Sequence, residues 1–489
     1  RLLEIVSGSE VSQEKVQTVS DFCDINLGKE VVVCNDTPGF IGNRIGTYWT
    51  LVGMVEAVKL GLTVEEADAI VGKPMGIPKT GIFGLMDLTG IDLKDHVIGS
   101  MVETLPNEDS FFEIYNPQHP LNHLTKKMVN EGFIGRKGKG GFYRLIKDKG
   151  QKRKQALDLI SGEYREIIKP NLDSAKYSKK NLKKLIEFND KGGAYAWEVL
   201  SNVLKYAAEL IPEISDEIFS IDEAMRSGYA WKFGPFELID QLGTEWFSKK
   251  LSDSGLKVPE IIKIANGKSL YRINNGKKEF MSLDGSYKQI PFNPDSWYLS
   301  EIKIGKDPIA SNKSASIWDI GDGVACLEFH SKMNAVDTDS LAMVKEASRL
   351  DKKGFKALVI GNDSNHFSAG ANIGMALFAA NLAMWPLLEQ TFKEGQSSYT
   401  ALKYSPIPVV VAPAGMALGG GCEVCLHADF VNAHSELYMG LVEVGVGIVP
   451  GWGGVKEMVF RHLKNKKRPG GPMPALMEAF QTIGLAKVS

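Results

Sequence analysis

The sequence predicts a multidomain chain: a short α/β piece, a mostly helical middle built twice, and a longer α/β region at the end. Three observations carry this reading. The chain has 489 residues, a length that suits two to four domains. A helical pattern rich in Phe, Gly and Asp recurs after about 155 residues, as expected of a duplicated unit. From about residue 314, strand-sized apolar runs alternate with helical patterns, which implies βαβ organisation.

Composition narrows the classes. Hydrophobic residues make up 44% and charged residues 24%, an ordinary balance for a soluble globular chain. The net charge of -2 gives no global basic field for nucleic acid. No apolar run reaches membrane-spanning length; the most apolar one, residues 407–412, is strand-sized. The cysteines, Cys23, Cys34, Cys326, Cys422 and Cys425, are few and scattered. That fits a reducing compartment, and a cytoplasmic location is the expectation. Cys422 and Cys425 form a C-x-x-C, but no second pair completes a zinc site. The chain opens on Arg1 without a Met and stops at Ser489 in helical text. A fragment of a longer protein is expected, and a missing start could have carried a signal peptide.

In chain order, residues 1–45 read strand (1–6), helix (13–26, ended by Leu27-Gly28) and strand (30–34, rich in β-branched residues). The turn Asn35-Asp36-Thr37-Pro38-Gly39 follows. This is the closing portion of an α/β unit, too small to bury a core alone. Residues 46–145 are mostly helical by periodicity, with Thr63, Glu65 and Glu66 marking a helix start. His119 and His123 fall near Pro120 in an expected surface loop. Residues 135–142 form a glycine-rich basic loop.

Residues 146–185 are strongly basic with little apolar content, and read as a solvated linker or surface helix. The repeat pairs Val64-Glu65-Glu66-Ala67 with Ile221-Asp222-Glu223-Ala224. It also pairs Phe83-Gly84-Leu85-Met86-Asp87-Leu88-Thr89-Gly90 with Phe236-Glu237-Leu238-Ile239-Asp240-Gln241-Leu242-Gly243. The second copy spans 186–250. Residues 251–312 are polar, with Asn-Gly, Asp-Gly and Pro punctuation, and read as a connector. Strands are expected at 324–329, 355–361 and 407–412 within a last domain of 313–489.

That last domain holds the chemistry. The strand at 407–412 leads to Gly419-Gly420-Gly421, and a helix begins near Cys422. Glycines let backbone approach a ligand, and amides that open a helix are unpaired donors. Such amides suit an oxygen that turns negative during a reaction. A second donor segment, His366-Phe367-Ser368-Ala369-Gly370-Ala371-Asn372, follows the strand at 355–361. Glycines also serve ordinary tight turns, and either segment alone reads that way. Glu423 on an apolar, glycine-led helix and Glu443 among Val and Gly do not look like solvated surface charges. Paired carboxylates suit acid–base work, because one can be held protonated beside the other.

On these residues the segment 314–465 resembles the crotonase (enoyl-CoA hydratase/isomerase) superfamily. The family's A-G-A-(D) turn matches Ala369-Gly370-Ala371, and its A-L-G-G-G-C-E motif matches residues 417–423. Its P-E-x-x-x-G-x-x-P-G-x-G-G pattern matches at Glu443, Gly447, Pro450, Gly451, Gly453 and Gly454. The resemblance implies an α/β domain of ββα superhelix type acting on a coenzyme A thioester. It implies oxyanion donors at the amides of Ala371 and Gly420, and substrate contacts at Ala369 and Gly451. It places the hydratase carboxylates at Glu423 and Glu443. One would take the proton from water, and the other would arrange the water or supply the α-proton. Asn372, Gly374 and Val442 depart from the family's Asp, Lys and Pro. Retaining both glutamates favours hydration over isomerisation. Isomerase chemistry and a non-catalytic acyl-CoA-binding scaffold are the alternatives.

Residues 1–250 resemble the C-terminal part of the L-3-hydroxyacyl-CoA dehydrogenases. The match rests on Arg1-Leu2-Leu3-Glu4, on Asp36-Thr37-Pro38-Gly39-Phe40-Ile41-Gly42-Asn43-Arg44, and on both helical copies. It implies that residues 1–45 are the tail of a Rossmann-type NAD-binding domain, followed by all-α repeats. By this likeness Glu4 would orient a catalytic histidine, and Asn43 would position the substrate near the reacting oxygen. No histidine present fits that role, and the Gly-x-Gly-x-x-Gly fingerprint is absent. The intact protein would use NAD, while this chain alone would neither bind it well nor reduce it. Together the two likenesses imply a bifunctional enzyme of fatty-acid β-oxidation. It would act on acyl-CoA as a homo-oligomer or in complex with a thiolase, with no nucleic acid and no membrane span.

Overall fold

The computed structural model describes residues 2–8, 10–148, 151–178, 181–274, 277–291, 298–465, 467, 470–486 and 488. Arg1 and Ser489 lie outside them. The chain divides into two compact units, Arg1–Pro291 and Phe292–Ser489.

The first unit opens with β1 (Leu2–Val6), α1 (Gln13–Asp21) and β2 (Glu30–Cys34). The strands pair in parallel with Glu4 opposite Val32, as a crossover helix permits. Next come α2 (Gly42–Lys59), α3 (Val64–Ile70), α4 (Phe83–Thr89), α5 (Ile91–Thr104), α6 (Phe111–Ile114) and α7 (Pro120–Asn130). Thr63 starts α3 with a reciprocal capping box: its hydroxyl accepts from the Glu66 amide, and the Glu66 carboxylate accepts from the Thr63 amide. His119 lies in the extended segment immediately before α7. It caps α7, its Nδ1 accepting from the Leu121 amide at 3.3 Å, while His123 lies inside that helix. Pro120 takes the first helical position, where a missing N–H is harmless.

Residues 146–185 are not a linker or surface helix. With Tyr143 they form an antiparallel sheet of β3 (Tyr143–Asp148), β4 (Gln151–Leu157) and β5 (Tyr164–Glu166), then α8 (Asp173–Tyr177) and the start of α9 (Leu182–Glu187). Ala156, Leu157, Leu159, Leu172, Leu182 and Leu185 are buried in this stretch. A charge count averages over them.

The second copy runs α10 (Lys191–Glu209), α11 (Ile218–Tyr229), α12 (Pro235–Leu242), α13 (Thr244–Asp253) and α14 (Glu260–Ala265). It ends in another antiparallel sheet, β6 (Tyr271–Asn274), β7 (Lys277–Met281) and β8 (Tyr287–Gln289). Residues 251–291 of the expected connector are therefore part of the repeat, with Ile261, Leu270, Phe280 and Met281 in the core, while its described remainder from 298 belongs to the second unit.

Buried acids show the true register of the duplication. Asp68 accepts from the amides of Phe83 and Gly84 and from the Tyr143 hydroxyl, at 2.8, 3.0 and 2.9 Å. Asp222 accepts from the amides of Phe236 and Glu237 and from the Tyr271 hydroxyl, at 2.8, 3.0 and 2.8 Å. Asp87 takes the amides of Phe142 and Tyr143. Asp240 takes those of Leu270 and Tyr271. Asp222 thus corresponds to Asp68 and not to Glu65, which instead pairs with Arg165 at 2.8 Å.

The second unit contains α15 (Leu299–Ile302), β9 (Ala310–Ser311), β10 (Ala315–Gly321), β11 (Val324–Phe329), α16 (Thr338–Ala347), β12 (Ala357–Gly361), α17 (Ile373–Asn381) and α18 (Trp385–Lys403). Then follow β13 (Val409–Ala412), β14 (Met416–Leu418), α19 (Gly420–Leu426), β15 (Phe430–Val431), β16 (Tyr438–Gly440), α20 (Gly454–Leu463) and α21 (Pro472–Gly484). The main sheet has the order β15-β13-β12-β11-β10-β9, parallel from β11 to β15. Two expected strands begin two residues late, β12 at Ala357 and β13 at Val409. β14 pairs in parallel with β16 in a small second sheet, so β13, β14 and α19 make one ββα turn. Leu327, Leu358, Ile360, Val409 and Val411 supply the core under α16 and α18.

Candidate functional site in the second unit

The site grows from the loops after β12 and β14. Ser368 joins them: its amide donates to Met416 O at 2.9 Å, and its carbonyl accepts from the Leu418 amide at 3.0 Å. Its hydroxyl donates to Asn334 O at 2.7 Å and accepts from the Gly370 amide at 3.1 Å. Gly370 has φ +86, and a Cβ there would stand 2.5 Å from Leu418 O. Only glycine lets the two segments approach this closely.

This approach brings the expected oxyanion amides together. A Cβ on Gly420 would lie 3.4 Å from the Ala371 nitrogen. Gly420 opens α19, so its amide has no intrahelical acceptor. The bonds around Ala371 run from the Val336 amide to Gly370 O and from the Asn372 amide to Val336 O. They step over the Ala371 N–H. Ala371 is exposed and Gly420 is buried.

Both carboxylates are beside this pair of amides. Glu423, on the first turn of α19, is 2% exposed, and its Oε1 accepts from the amides of Trp452 and Gly454 at 2.9 and 2.8 Å. Burial pushes its carboxyl up to about 7; the Gly454 amide pulls it back, and the Glu443 charge pushes it further. Glu443 is 9% exposed. Its Oε1 would lie 3.2 Å from a Cβ on Gly419. Its Oε2 is buried with no hydrogen-bond partner among the described residues. Burial raises its carboxyl as well. One acid is therefore fixed by two donors, and the other keeps an unused oxygen in the same neighbourhood.

Of the expected substrate contacts, the Ala369 amide is spent on Met333 O at 3.1 Å, and Gly451 O accepts from Gln396 Nε2 at 2.8 Å. Trp452 and Tyr399 had not been singled out. The Trp452 ring fills the space a Cβ on Gly420 would need, 2.7 Å away. The buried Tyr399 hydroxyl donates to Gly420 O at 2.9 Å. Trp452 sits inside the matched Pro-Gly-x-Gly-Gly pattern, which offered a signal; Tyr399 lies on α18 with none. Cys422 and Cys425 are both buried, and burial pushes the Cys425 thiol up to about 12.

In the first unit Glu4 reaches the start of α2, where its Oε1 accepts from the amides of Ile41 and Gly42 at 2.9 and 2.8 Å. Asn43 is exposed on the same first turn. Arg44 beside it is fully buried and bonds Tyr206 Oη at 2.5 Å, Asp109, and Glu213 at 3.1 Å. No Gly-x-Gly-x-x-Gly stretch follows either strand of the parallel pair, and no step through NAD is assigned to this chain. Among the described residues, no helix is long and apolar enough to cross a membrane.

Comparison with known proteins gives matches in both units. Residues 319–467 match the family described as Enoyl-CoA hydratase/isomerase. Residues 39–145 match the family described as 3-hydroxyacyl-CoA dehydrogenase, C-terminal domain. A Bacillus subtilis relative named "Probable 3-hydroxyacyl-CoA dehydrogenase" is 38% identical over 100% of this chain and 61% of its own length. A Rickettsia felis relative named "Putative fatty acid oxidation complex trifunctional enzyme" is 35% identical over 96% of this chain and 61% of its own. The "Crotonyl-CoA hydratase" of Syntrophomonas wolfei is 36% identical over 26% of this chain and 48% of its own. The chain thus spans 61% of the length of the two longer relatives.

Proposed function

We propose that this chain joins a 3-hydroxyacyl-CoA dehydrogenase C-terminal domain to an enoyl-CoA hydratase/isomerase domain, as the family matches at 39–145 and 319–467 support, and that its second unit hydrates 2-enoyl-CoA to 3-hydroxyacyl-CoA. The observation that carries the reading is the pairing of Glu423, gripped by two amides, with Glu443, whose Oε2 is buried and has no hydrogen-bond partner among the described residues. Both stand beside the Ala371 and Gly420 amides.

The thioester oxygen would lie between those two amides, which stabilise the negative charge it gains as water adds. Glu423 accepts two N–H bonds, an arrangement that favours the ionised form. Its remaining oxygen takes the proton of the attacking water as the water oxygen bonds to the β-carbon. Burial favours the neutral form of Glu443 and outweighs the backbone N–H groups of Glu443 and Val442, which pull its carboxyl down. Glu443 would supply the proton that ends on the α-carbon. A carboxyl raised to about 7 suits a base working near neutral pH.

The test is hydration of crotonyl-CoA, followed as loss of the enoyl absorbance. Glu423→Gln should slow the loss by about 10²–10⁴-fold. A chain that binds the thioester without hydrating it would refute the reading, and a Glu423→Gln variant with full activity on the double bond would point to isomerisation.

For the intact protein we propose oxidation of the 3-hydroxyacyl-CoA to the 3-ketoacyl-CoA with NAD, completing two successive steps of fatty-acid oxidation. Glu4 and Asn43 would serve that half, Glu4 by orienting a histidine and Asn43 by positioning substrate. Reduction of NAD by the intact protein, and its loss in Asn43→Ala, tests this. The exposed Leu476, Met477 and Phe480 of α21 support an assembly that covers them, as a homo-oligomer or with a thiolase. Light scattering of the chain alone and with a thiolase tests that.

A further inference from the structure

A buried group that the hydration step does not use lies directly behind Glu423. His427 follows the last residue of α19 and is 2% exposed. Its Nδ1 is 2.7 Å from the carbonyl oxygen of Glu423. A carbonyl oxygen only accepts, so Nδ1 carries the proton and Nε2 of the neutral ring is a bare acceptor. Nε2 has no hydrogen-bond partner among the described residues. The ring runs beneath the Gly453 peptide, where a Cβ would fall 2.8 Å from both Cε1 and Nε2. Gly453 stands between Trp452 and Gly454, the two residues whose amides grip Glu423.

The far side of the ring is also ordered. Glu457 Oε1 lies 3.8 Å from Nε2. The buried Glu457 carboxylate takes Lys403 Nζ at 2.5 and 2.6 Å and Lys456 Nζ at 3.2 Å. The Glu457 amide donates to Gly453 O at 3.0 Å. Tyr399 closes the remaining side, its ring 5.6 Å from the imidazole.

We propose that His427 is a positioning residue for Glu423: the imidazole, wedged between the Glu423 carbonyl and the Gly453 peptide and backed by the Lys403–Glu457 pair, holds the two amides that aim the Glu423 carboxylate. The inference rests on the hydratase reading. A flat ring fits where glycine has no Cβ, and the bond to the carbonyl fixes its rotation. Burial lowers its basicity, and the pull of Glu457 toward the charged form is opposed by Lys456 and Lys403. The ring stays neutral and acts through geometry.

The experiment compares crotonyl-CoA hydration by the full chain with that of His427→Ala and His427→Asn, with thermal midpoints for all three. Asn can offer its side-chain N–H to the same carbonyl. A small displacement of a catalytic group lowers turnover steeply, so His427→Ala should lose about tenfold or more in kcat with KM within about twofold. His427→Asn should recover most of that loss. If His427→Ala does not fold, the Asn variant decides: near-parental kcat supports the assignment, and a tenfold loss overturns it. Parental kcat in His427→Ala overturns the assignment alone, as does an equal loss in both variants. A parent chain with no hydration overturns both the assignment and the hydratase reading.

Discussion

Asp68 and Asp222 hold equivalent places in the two copies of the helical unit, each accepting two amides that open the following helix and one tyrosine hydroxyl. Each acid ties a helix pair to a sheet strand. An asparagine in either place would turn an N–H₂ toward donors. Asp222→Asn should destabilise the first unit by about 1–3 kcal/mol, the range for a buried polar group left without a partner. Tyr271→Phe, which removes one of the three donors, should lose about 1 kcal/mol. Urea denaturation followed by tryptophan fluorescence measures both.

The same acids give a pH dependence. Burial raises Asp68 to about 7 and Asp222 to about 8, against donors that pull them down. The folded state therefore binds protons that the unfolded chain has released above about pH 4. Their contribution is fully present below about pH 4 and is lost as pH rises through 7 and 8. The urea midpoint of the first unit should fall across that window, and Asp222→Asn should flatten the fall.

Hydration should report Glu423. With its carboxyl near 7, kcat/KM should drop as pH falls below that value, because the protonated acid cannot take a proton from water. Glu423→Gln should lower kcat by about 10²–10⁴-fold, the range for a general base. In Glu443→Gln the acidic limb should persist beneath a comparable loss of rate. A profile without an acidic limb would contradict the assignment of the base.

The oxyanion amides make a steric prediction. Alanine at Gly370 would meet Leu418 O at 2.5 Å in a backbone conformation with φ +86. The loop must shift, and the Ala371 amide shifts with it. Gly370→Ala should lower kcat by about 10²–10³-fold, the effect of losing one such donor. Crotonyl-CoA hydration, with a thermal midpoint as control, checks this.

Arg44 sits fully buried among Tyr206, Asp109 and Glu213. Arg44→Met would leave Asp109 without its cation and should destabilise the unit by about 3–5 kcal/mol. A denaturation midpoint equal to that of the parent would show that the pair contributes nothing.

The second unit was the more legible in sequence, for a physical reason. Its glycines and glutamates lie within a few residues of the turns that aim them, so short motifs such as residues 417–423 carry the geometry. Tyr399 and His427 were not legible. Each acts on that loop by packing on it from a helix, and no local pattern marks a hydroxyl that meets Gly420 O or a ring that meets Gly453. In the first unit the opening strand pair and the main helices were read, and the two antiparallel sheets were missed. Strands β4 and β7 present Lys and Arg outward, and they bury so few residues that their charge hid their period. The register of the repeat slipped for a related reason: Val64-Glu65-Glu66-Ala67 matches Ile221-Asp222-Glu223-Ala224 by eye, while the bonds that define equivalence belong to Asp68.

Helices α2 and α10 hold matching places in the two copies, each leading into the helix that carries the shared aspartate. They pack on each other: the Tyr195 hydroxyl donates to Gly53 O at 2.8 Å, and Arg44 meets Tyr206. Tyr48 and Tyr206 stack across the same contact with centroids 4.0 Å apart. Each copy thus supplies the partner surface that a free subunit would have to find in solution. The first unit is in effect a dimer closed within one chain, whose association cannot be diluted away, and cleavage between β5 and α10 would make its stability depend on concentration.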